Sequence, residues 1–258
     1  MTGAFYAFDG ERFVPSELTR GPWDPGAQHA GPPSALIARA LERCEPREGM
    51  RIGRITVEIL RPVPLAPLTV EANVVRPGRS VELLEASLAG PEGEVMRASA
   101  WRVAAGDVRV DSDPPPPGPD QGHERDFFPT GQELGYHTAM EYRFVRGGFL
   151  EAGPALVWMR MRGLLVEGEP TSPLERLMVV ADVGNGISAV LDWREFLFIN
   201  TDLTVHVLRP PEGEWVVLDA ATTIVTGGAG LARSVLSDES GPVAYGAQSL
   251  LVTPRPSR

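Results

Sequence analysis

A chain of 258 residues is long enough for one large domain or two of ordinary size, each with its own core. With 43% hydrophobic and 22% charged residues it has the balance of a water-soluble globule, which excludes a disordered or collagen-like chain. The formal net charge of −10 opposes non-specific binding to nucleic acid or to an anionic membrane, because both need phosphates to be neutralised by Lys and Arg.

One cysteine, Cys44, excludes an intramolecular disulfide and a multi-cysteine metal site, and its neighbours Ala40, Leu41 and Arg43 read it as a packed thiol at a helix end. The first eleven residues lack a basic region followed by an apolar run, and no stretch of eighteen apolar residues occurs. The expectation is a cytoplasmic protein.

In chain order, Phe5 to Phe8 and Arg12 to Val14 flank Asp9-Gly10, a tight-turn pair that predicts a hairpin. A loop rich in Gly and Pro follows, carrying Trp23, Asp24, Gln28 and His29. Gly31-Pro32-Pro33-Ser34 then opens a helix to about Cys44, with Leu36, Ile37, Ala40 and Leu41 at helical spacing. From Arg51 the period becomes that of strands, at Arg54 to Leu60, Leu68 to Arg76, Val81 to Ala89 and Val95 to Ala104.

The proline-rich run from Asp111 to Asp120 favours the polyproline conformation and reads as a semi-rigid linker. Beyond it, Glu141 to Val145 and Ala155 to Gly163 read as strands. Thr171-Ser172-Pro173 starts a helix, with Ser172 as cap and Leu174, Leu177, Met178 and Ala181 as the apolar stripe. Strands resume at Leu197 to Leu208, Glu214 to Ile224, Leu231 to Ser237 and Val243 to Thr253.

The two halves share wording. Thr204-Val205-His206-Val207-Leu208-Arg209-Pro210 repeats Thr56-Val57-Glu58-Ile59-Leu60-Arg61-Pro62 at an offset of 148 residues, and the same offset brings Leu88 to Leu236 and Val95 to Val243. Carried without a gap, it places the helix 31–42 on 179–190. A duplicated unit of helix and antiparallel sheet predicts an α+β architecture in which the halves pair side by side and cover each other's edges. The expected division is an N-terminal module at 1–110, a proline-rich linker at 111–125 and a C-terminal module at 126–258.

The repeat, the helix from Pro173 to Ile187 carrying Asp182, the run from Asn200-Thr201-Asp202 to Arg209-Pro210, and Gln248 in the last strand together resemble the acyl-CoA thioesterase II (TesB-like) family. The resemblance spans nearly the whole chain. It implies a double hot-dog fold, in which each of two sheets wraps a helix, and an enzyme of fatty acid metabolism that hydrolyses acyl-CoA or a related thioester. Coenzyme A then enters only as part of the substrate, with no metal and no other cofactor, and a homo-oligomer is a possible assembly.

The resemblance further implies a catalytic trio of Asp, Thr or Ser, and Gln that holds and activates a water. Carried over by position, these are Asp182, Gln248 and, in the middle place, Asn200 with Thr201 beside it. Neighbouring strand residues face opposite sides of a sheet, so both of the last two point inward only across a bulge; Asn200 is favoured. Independently, Asp182 lies among Val179, Val180, Ala181 and Val183, a poor place for a purely structural charge, where desolvation would raise its pKa and make it a better base.

Trp23, Gln28, His29 and Gly31 precede a helix N-terminus whose free N–H groups could hold a thioester oxygen, and they are the candidate substrate-binding residues. Arg61 and Arg209, each before a proline, could meet phosphates, although such arginines more often pair with carboxylates.

Three other readings compete. Gly184-Asn185-Gly186-Ile187-Ser188-Ala189 satisfies the dinucleotide pattern, but that pattern needs a strand before it and a βαβ unit around it. Asp24 and His29 have the five-residue spacing of hot-dog enoyl-CoA hydratases, although Pro25-Gly26-Ala27-Gln28 does not match their signature. A non-catalytic acyl-binding protein, with Asp182 and Gln248 merely lining a pocket, is the third. No Gly-x-Ser-x-Gly elbow is present, and His123, His137 and His206 show no metal-ligand spacing.

Overall fold

The computed structural model describes residues 3–108, 113–127 and 129–255. Strands β1 (Ala4–Phe8) and β2 (Phe13–Pro15) form the N-terminal hairpin, turned by Gly10 at φ 100° while the Asp9 carboxylate accepts the amides of Glu11 and Arg12. Helix α1 (Gly31–Arg43) follows, then the meander β3 (Met50–Ile59), β4 (Thr69–Arg76), β5 (Val81–Gly90) and β6 (Gly93–Ala104).

The second half runs α2 (Tyr136–Ala139), β7 (Met140–Arg146), β8 (Ala155–Met161), β9 (Leu164–Val166), α3 (Pro173–Ala181) and α4 (Gly184–Ile187). It closes with β10 (Phe196–Asn200), β11 (Asp202–Val207), β12 (Val216–Val225), β13 (Ala229–Asp238) and β14 (Gly241–Pro254). Between the halves, the proline-rich stretch lies against β7 and β8, where the Pro117 carbonyl accepts the Trp158 indole N–H at 2.7 Å and His123 bridges to Phe144. Its residues 111 and 112 lie outside the described part.

Eleven strands form one antiparallel sheet in the order β4-β5-β6-β3-β11-β14-β13-β12-β8-β7, with β10 added beside β14. The hairpin β1–β2 joins β9 in a separate three-stranded sheet. The seam of the large sheet is the repeated strand pairing with its own copy: Thr56 stands opposite Thr204, their hydroxyls 3.2 Å apart. Each half would otherwise expose this strand as an open edge, and the pairing removes both edges at once.

The offset of 148 residues holds to the residue at the seam, where Thr56 meets Thr204. It carries both ends of β5 onto those of β13, and the start of β6 onto the start of β14. It also carries two irregularities. The register shift after Leu88 recurs after Leu236, and the shift between Ile52 and Arg54 recurs where β10 ends at Asn200 and β11 begins at Asp202. There, Asn200 pairs with Leu250 but Thr204 pairs with Ala247, one residue more on the first strand than on its partner. The run expected as one strand from Leu197 to Leu208 is therefore two, divided by a bulge at Thr201.

The helices do not keep that phase. Instead of falling on 179–190, the second helix begins at Pro173 and ends at Ala181. Strands are held in register by hydrogen bonds to their neighbours, whereas a helix is held only by an apolar face, so the loop leading to it can change length freely. The helix expected from Pro173 to Ile187 is also broken, at Asp182 and Val183, into α3 and the single turn α4.

Helices α1 and α3 lie antiparallel against each other beneath the sheet. Leu36, Ile37 and Leu41 of α1 and Leu177 and Met178 of α3 are fully buried with Ile55, Val57, Leu203 and Val205 of the seam strands. Each such side chain contributes about 1.5–3 kcal/mol by leaving water. At one end, Arg39 and Arg43 of α1 reach Glu169 at 2.8 and 2.7 Å, just before α3 begins. At the other, Gly31 touches the carbonyl of Val179, where a Cβ would lie 2.5 Å from the oxygen. Only glycine permits the start of α1 to approach the end of α3 this closely.

Ser172 caps α3 as expected: its Oγ accepts the Glu175 amide at 3.1 Å while Glu175 accepts the Ser172 amide at 2.9 Å, and the hydroxyl donates to Glu42 of α1 at 2.6 Å. Replacing Ser172 by Ala is expected to cost about 1 kcal/mol in urea unfolding, and by Gly only a few tenths. Equal losses for the two variants would show that the bond to Glu42, rather than the cap, carries the effect.

Candidate active site

Asp182 is the C-cap of α3 and only 4% exposed. One carboxylate oxygen, Oδ1, accepts the side-chain amides of two residues distant in sequence, Asn200 Nδ2 at 2.8 Å and Gln248 Nε2 at 3.1 Å. The Gln248 amide also bonds the Asp182 carbonyl at 3.1 Å, and its Oε1 accepts the Asn185 N–H at 3.0 Å. Gly184 makes room, since a Cβ there would stand 2.9 Å from that Oε1. The bulge explains Asn200: inward positions run through Phe198 and Asn200 and resume at Leu203 and Val205, a change of phase absorbed by the extra residue.

The second oxygen, Oδ2, lies 3.2 Å from His29 Nδ1, and that nitrogen accepts the Gly31 N–H at 3.0 Å. The backbone N–H groups of Ala30 and Gly31, at the start of α1, face the carboxylate and favour its ionised form. Behind His29 stands Tyr136, its ring stacked at 3.8 Å and 8° and its hydroxyl donating to the Val179 carbonyl at 2.7 Å.

Burial governs the titration of this pair. It pushes Asp182 up to about 7, against the opposing bonds from Asn200, Gln248, Ala30 and Gly31, and it pushes His29 down to about 3. The imidazole is therefore neutral near neutral pH, while the carboxyl titrates there.

Of the expected residues, the fold gathers Asp182, Asn200, Gln248, His29 and Gly31. Thr201 is exposed on the bulge, its backbone tied to Ser249 and Ile59, and it does not reach Asp182. Gln28 is buried with both ends engaged, Oε1 by the Tyr6 hydroxyl at 2.6 Å and Nε2 by the Pro64 carbonyl at 2.7 Å, so its observed work is to fix the loop. Trp23 is partly exposed with the Arg255 guanidinium 5.8 Å from its ring centre. The start of α1 turns its amides toward Asp182, and Pro32 and Pro33 have no N–H to add, so the expected free donors for a thioester oxygen are already engaged.

Asp24 is exposed and accepts the Gly26 amide at 2.8 Å, whereas His29 faces Asp182, so the hydratase pairing is not assembled. The Gly184 segment forms α4 after a helix, not a turn after a strand, which removes the dinucleotide reading. Arg209 is held by both oxygens of Asp238 at 2.5 Å, and Arg61 is exposed with its guanidinium 3.5 Å from the Glu92 carbonyl. Tyr136 escaped the sequence reading, lying in a stretch without periodicity, and Asn185 entered it only through the dinucleotide pattern; it contributes its backbone N–H, for which no residue type is diagnostic.

Two helix-and-sheet units doubled in one chain, with a buried carboxylate gripped by two amides, make this a double hot-dog protein. The comparisons agree on the class and narrow it. The chain belongs to the acyl-CoA thioesterase family, residues 19–103 matching the N-terminal domain and residues 110–252 the C-terminal domain, and it is accordingly a thioester hydrolase.

Among solved structures, a conserved hot-dog protein of Alicyclobacillus acidocaldarius superposes with a TM-score of 0.75 at 17% identity, covering 98% of this chain and 96% of that one. The tesB protein of Mycobacterium avium subspecies paratuberculosis gives 0.69 at 16%, covering 95% and 94%. Acyl-CoA thioesterase II TesB2 of Mycobacterium marinum gives 0.66 at 15%, covering 98% and 95%. At these identities the likeness establishes the fold. No curated protein matches the chain in sequence. Among the described residues, no helix is long and apolar enough to cross a membrane.

The pair makes a stability prediction with two opposing signs. Asp182, raised from 3.8 to about 7, binds more protons folded than unfolded, so its contribution is present below its unfolded pKa and is lost as pH rises through about 7. His29, lowered from 6.5 to about 3, does the reverse, and its contribution is lost as pH falls through the same window. Between them the folded and unfolded chains each hold one proton, so the two slopes cancel.

Relative to wild type, Asp182→Asn is therefore expected to lose stability on acidification below about pH 6.5, and His29→Gln on alkalinisation toward pH 7, each by up to about 1.4 kcal/mol per pH unit. Urea unfolding across that range reads both; parallel curves for all three proteins would show that the pair does not exchange its proton in this way.

Proposed function

We propose that Asp182 is the general base that takes a proton from water as the water attacks the carbonyl carbon of an acyl-CoA thioester. The observation that carries this reading is the convergence of two side-chain amides, 18 and 66 residues distant, on one oxygen of a buried carboxylate. A carboxylate titrating at about 7 is half ionised near neutral pH and basic enough to accept the proton, which matches the pKa of a general base to its working range.

In the attack, the water oxygen bonds to the carbonyl carbon, its proton passes to Asp182, and the carbonyl electrons move to oxygen. Collapse of that oxyanion breaks the carbon–sulfur bond, and the thiolate leaves with the proton returned from Asp182, giving a fatty acid and coenzyme A. Gln248, held by Asn185, fixes the carboxylate. Asn200 holds Oδ1 through its amide and presents its own carbonyl to the water, taking the middle place of the trio in preference to Thr201. The positive end of α1 lies beside the centre where negative charge develops. The reaction calls on no metal and no cofactor besides the coenzyme A of its substrate. Such chemistry belongs to fatty acid metabolism in the cytoplasm, with a homo-oligomer as a fitting assembly for so broad an exposed sheet.

Asp182→Asn, nearly isosteric, is expected to lower kcat about 10²–10⁴-fold with free thiol as the readout. For the wild type, kcat/KM should rise tenfold per pH unit up to about 7 and then level, because only the ionised base works. A profile flat from pH 5 to 8, or full activity in the Asn variant, would remove Asp182 from the chemistry, whereas no turnover of any acyl-CoA by the wild type would leave an acyl-binding protein.

A further inference from the structure

Helix α4 is a single turn, too short to hold itself, yet it supplies the contact that orients Gln248. The two ends of a glutamine amide have nearly the same shape, so which end faces a neighbour is decided by hydrogen bonding. Here the Asn185 N–H claims Gln248 Oε1 at 3.0 Å, which leaves Nε2 to donate to the carboxylate and the carbonyl of Asp182, each at 3.1 Å. Turned over, the amide would set its oxygen against two oxygens of Asp182 and its hydrogens against the Asn185 N–H.

A pair of hydroxyls fixes α4 on its far side. Ser188, fully buried, donates from Oγ to the Gly184 carbonyl at 2.8 Å and closes the turn. The same Oγ lies 2.7 Å from Thr222 Oγ1 on β12, and because its own hydrogen is committed to Gly184, Thr222 is the donor there. Thr222 pairs with Ala232, and Ala232 with Gln248, so the three stand in one row across β12, β13 and β14. Ala232, 2% exposed, leaves room for the turn, which packs over all three strands. Two strand spacings, about 10 Å, separate the residue that α4 orients from the residue that holds α4.

The matching row in the first half is apolar. The offset of 148 carries Thr222, Ala232 and Gln248 back to Val74, Leu84 and Ala100, which stand in the same register on β4, β5 and β6. Leu84, fully buried, fills the place that Ala232 leaves open. Val74 and Thr222 are both half-buried and nearly the same shape, so packing alone does not call for the Thr222 hydroxyl.

We propose that Ser188 and Thr222 are positioning residues for the hydrolysis: by tying α4 to β12 they keep the Asn185 N–H on Gln248 Oε1, and so fix which end of that amide meets Asp182. Their hydroxyls bond each other and Gly184 rather than the carboxylate, and the reading rests on Asp182 as the base. Among the described residues, the titratable groups that face Asp182 are His29 and Tyr136, and neither belongs to this row.

The test is the pH profile of kcat/KM for acyl-CoA hydrolysis in Ser188→Ala, Thr222→Val and Thr222→Ser, each with and without Gln248→Ala. The bond from Gln248 favours ionised Asp182, so loosening it raises the pKa, and the rise of the profile, at about 7 in wild type, should move up. Ser188→Ala and Thr222→Val should move it by about half to one pH unit, a loss of about three- to tenfold at pH 6 that fades above about pH 9. Thr222→Ser, which keeps a hydroxyl, should keep the wild-type profile. On the Gln248→Ala background the same substitutions should move nothing further, since the amide they orient is gone.

Where Ser188→Ala does not melt cooperatively, Thr222→Val, which copies the matching row, carries the same expectation. Profiles unmoved in both, or moved equally with and without Gln248, would overturn the assignment and leave the hydroxyls to packing. Turnover of no ester by wild type would instead overturn the hydrolase reading. The titration of Asp182 followed by carbon NMR, with Asp182→Asn assigning the signal, then decides alone: an upward shift in the hydroxyl variants upholds the positioning, and an unmoved signal ends it.

Discussion

A buried carboxylate at the end of one helix needs the beginning of another. The last turn of α3 carries the negative end of its dipole, so Asp182 at its C-cap is doubly disfavoured as an anion, by that field and by desolvation. What offsets both is the start of α1, which brings the positive end of a 13-residue helix and the backbone N–H groups of Ala30 and Gly31 to the same carboxylate. No helix can present its own opposite pole to itself. The site therefore requires two helices laid antiparallel, and they come from different halves of the chain. The seam pairing of β3 with β11 sets those halves side by side, and Gly31 lets the two helix ends close to contact.

The balance is incomplete, and that incompleteness is useful. Were the offset larger, Asp182 would ionise in the ordinary carboxylate range and be a feeble base at neutral pH; were it absent, the group would stay protonated and remove nothing from water. A pKa near 7 lies between these extremes. His29 contributes by its neutrality. An imidazolium 3.2 Å from Oδ2 would pull the carboxyl pKa down again, and burial against the Tyr136 ring prevents that charge from forming.

What could be read beforehand follows from where physics leaves a local trace. The strands alternate, their turns carry Gly and Pro, and the seam strand is written twice, so the sheet and its doubling were legible, as was the capped start of α3 at Ser172. Asp182 stood out because a charge amid valines is costly, and Gln248 and Asn200 came from resemblance. The break after Ala181 left no such trace, because Asp182 and Val183 keep helical backbone angles and only their hydrogen bonding changes. Nor could the partners of Gln28 or the stack on Tyr136 be foreseen, each being a contact across many residues between side chains that have other common uses.

Duplication explains how one chain comes to hold a single such centre. The strand offset carries Asn200 back to Ile52 and Gln248 back to Ala100, and the bulge beside Asn200 back to the one beside Ile52, so the strand backbone of the site exists twice while its two amides exist once. Both copies at the mate positions are apolar and buried, Ile52 at 6% and Ala100 at 0% exposure. That asymmetry is what energetics asks for. An amide in a core is tolerable only when something accepts its hydrogens, and one left unpaired costs about 1–3 kcal/mol. Asn200 and Gln248 have the Asp182 carboxylate to serve, and without an equivalent acid two further amides would be a loss. Two identical chains would be obliged to keep both sets or neither; joining the halves covalently frees one of them to be packed for stability while the other stays polar for chemistry.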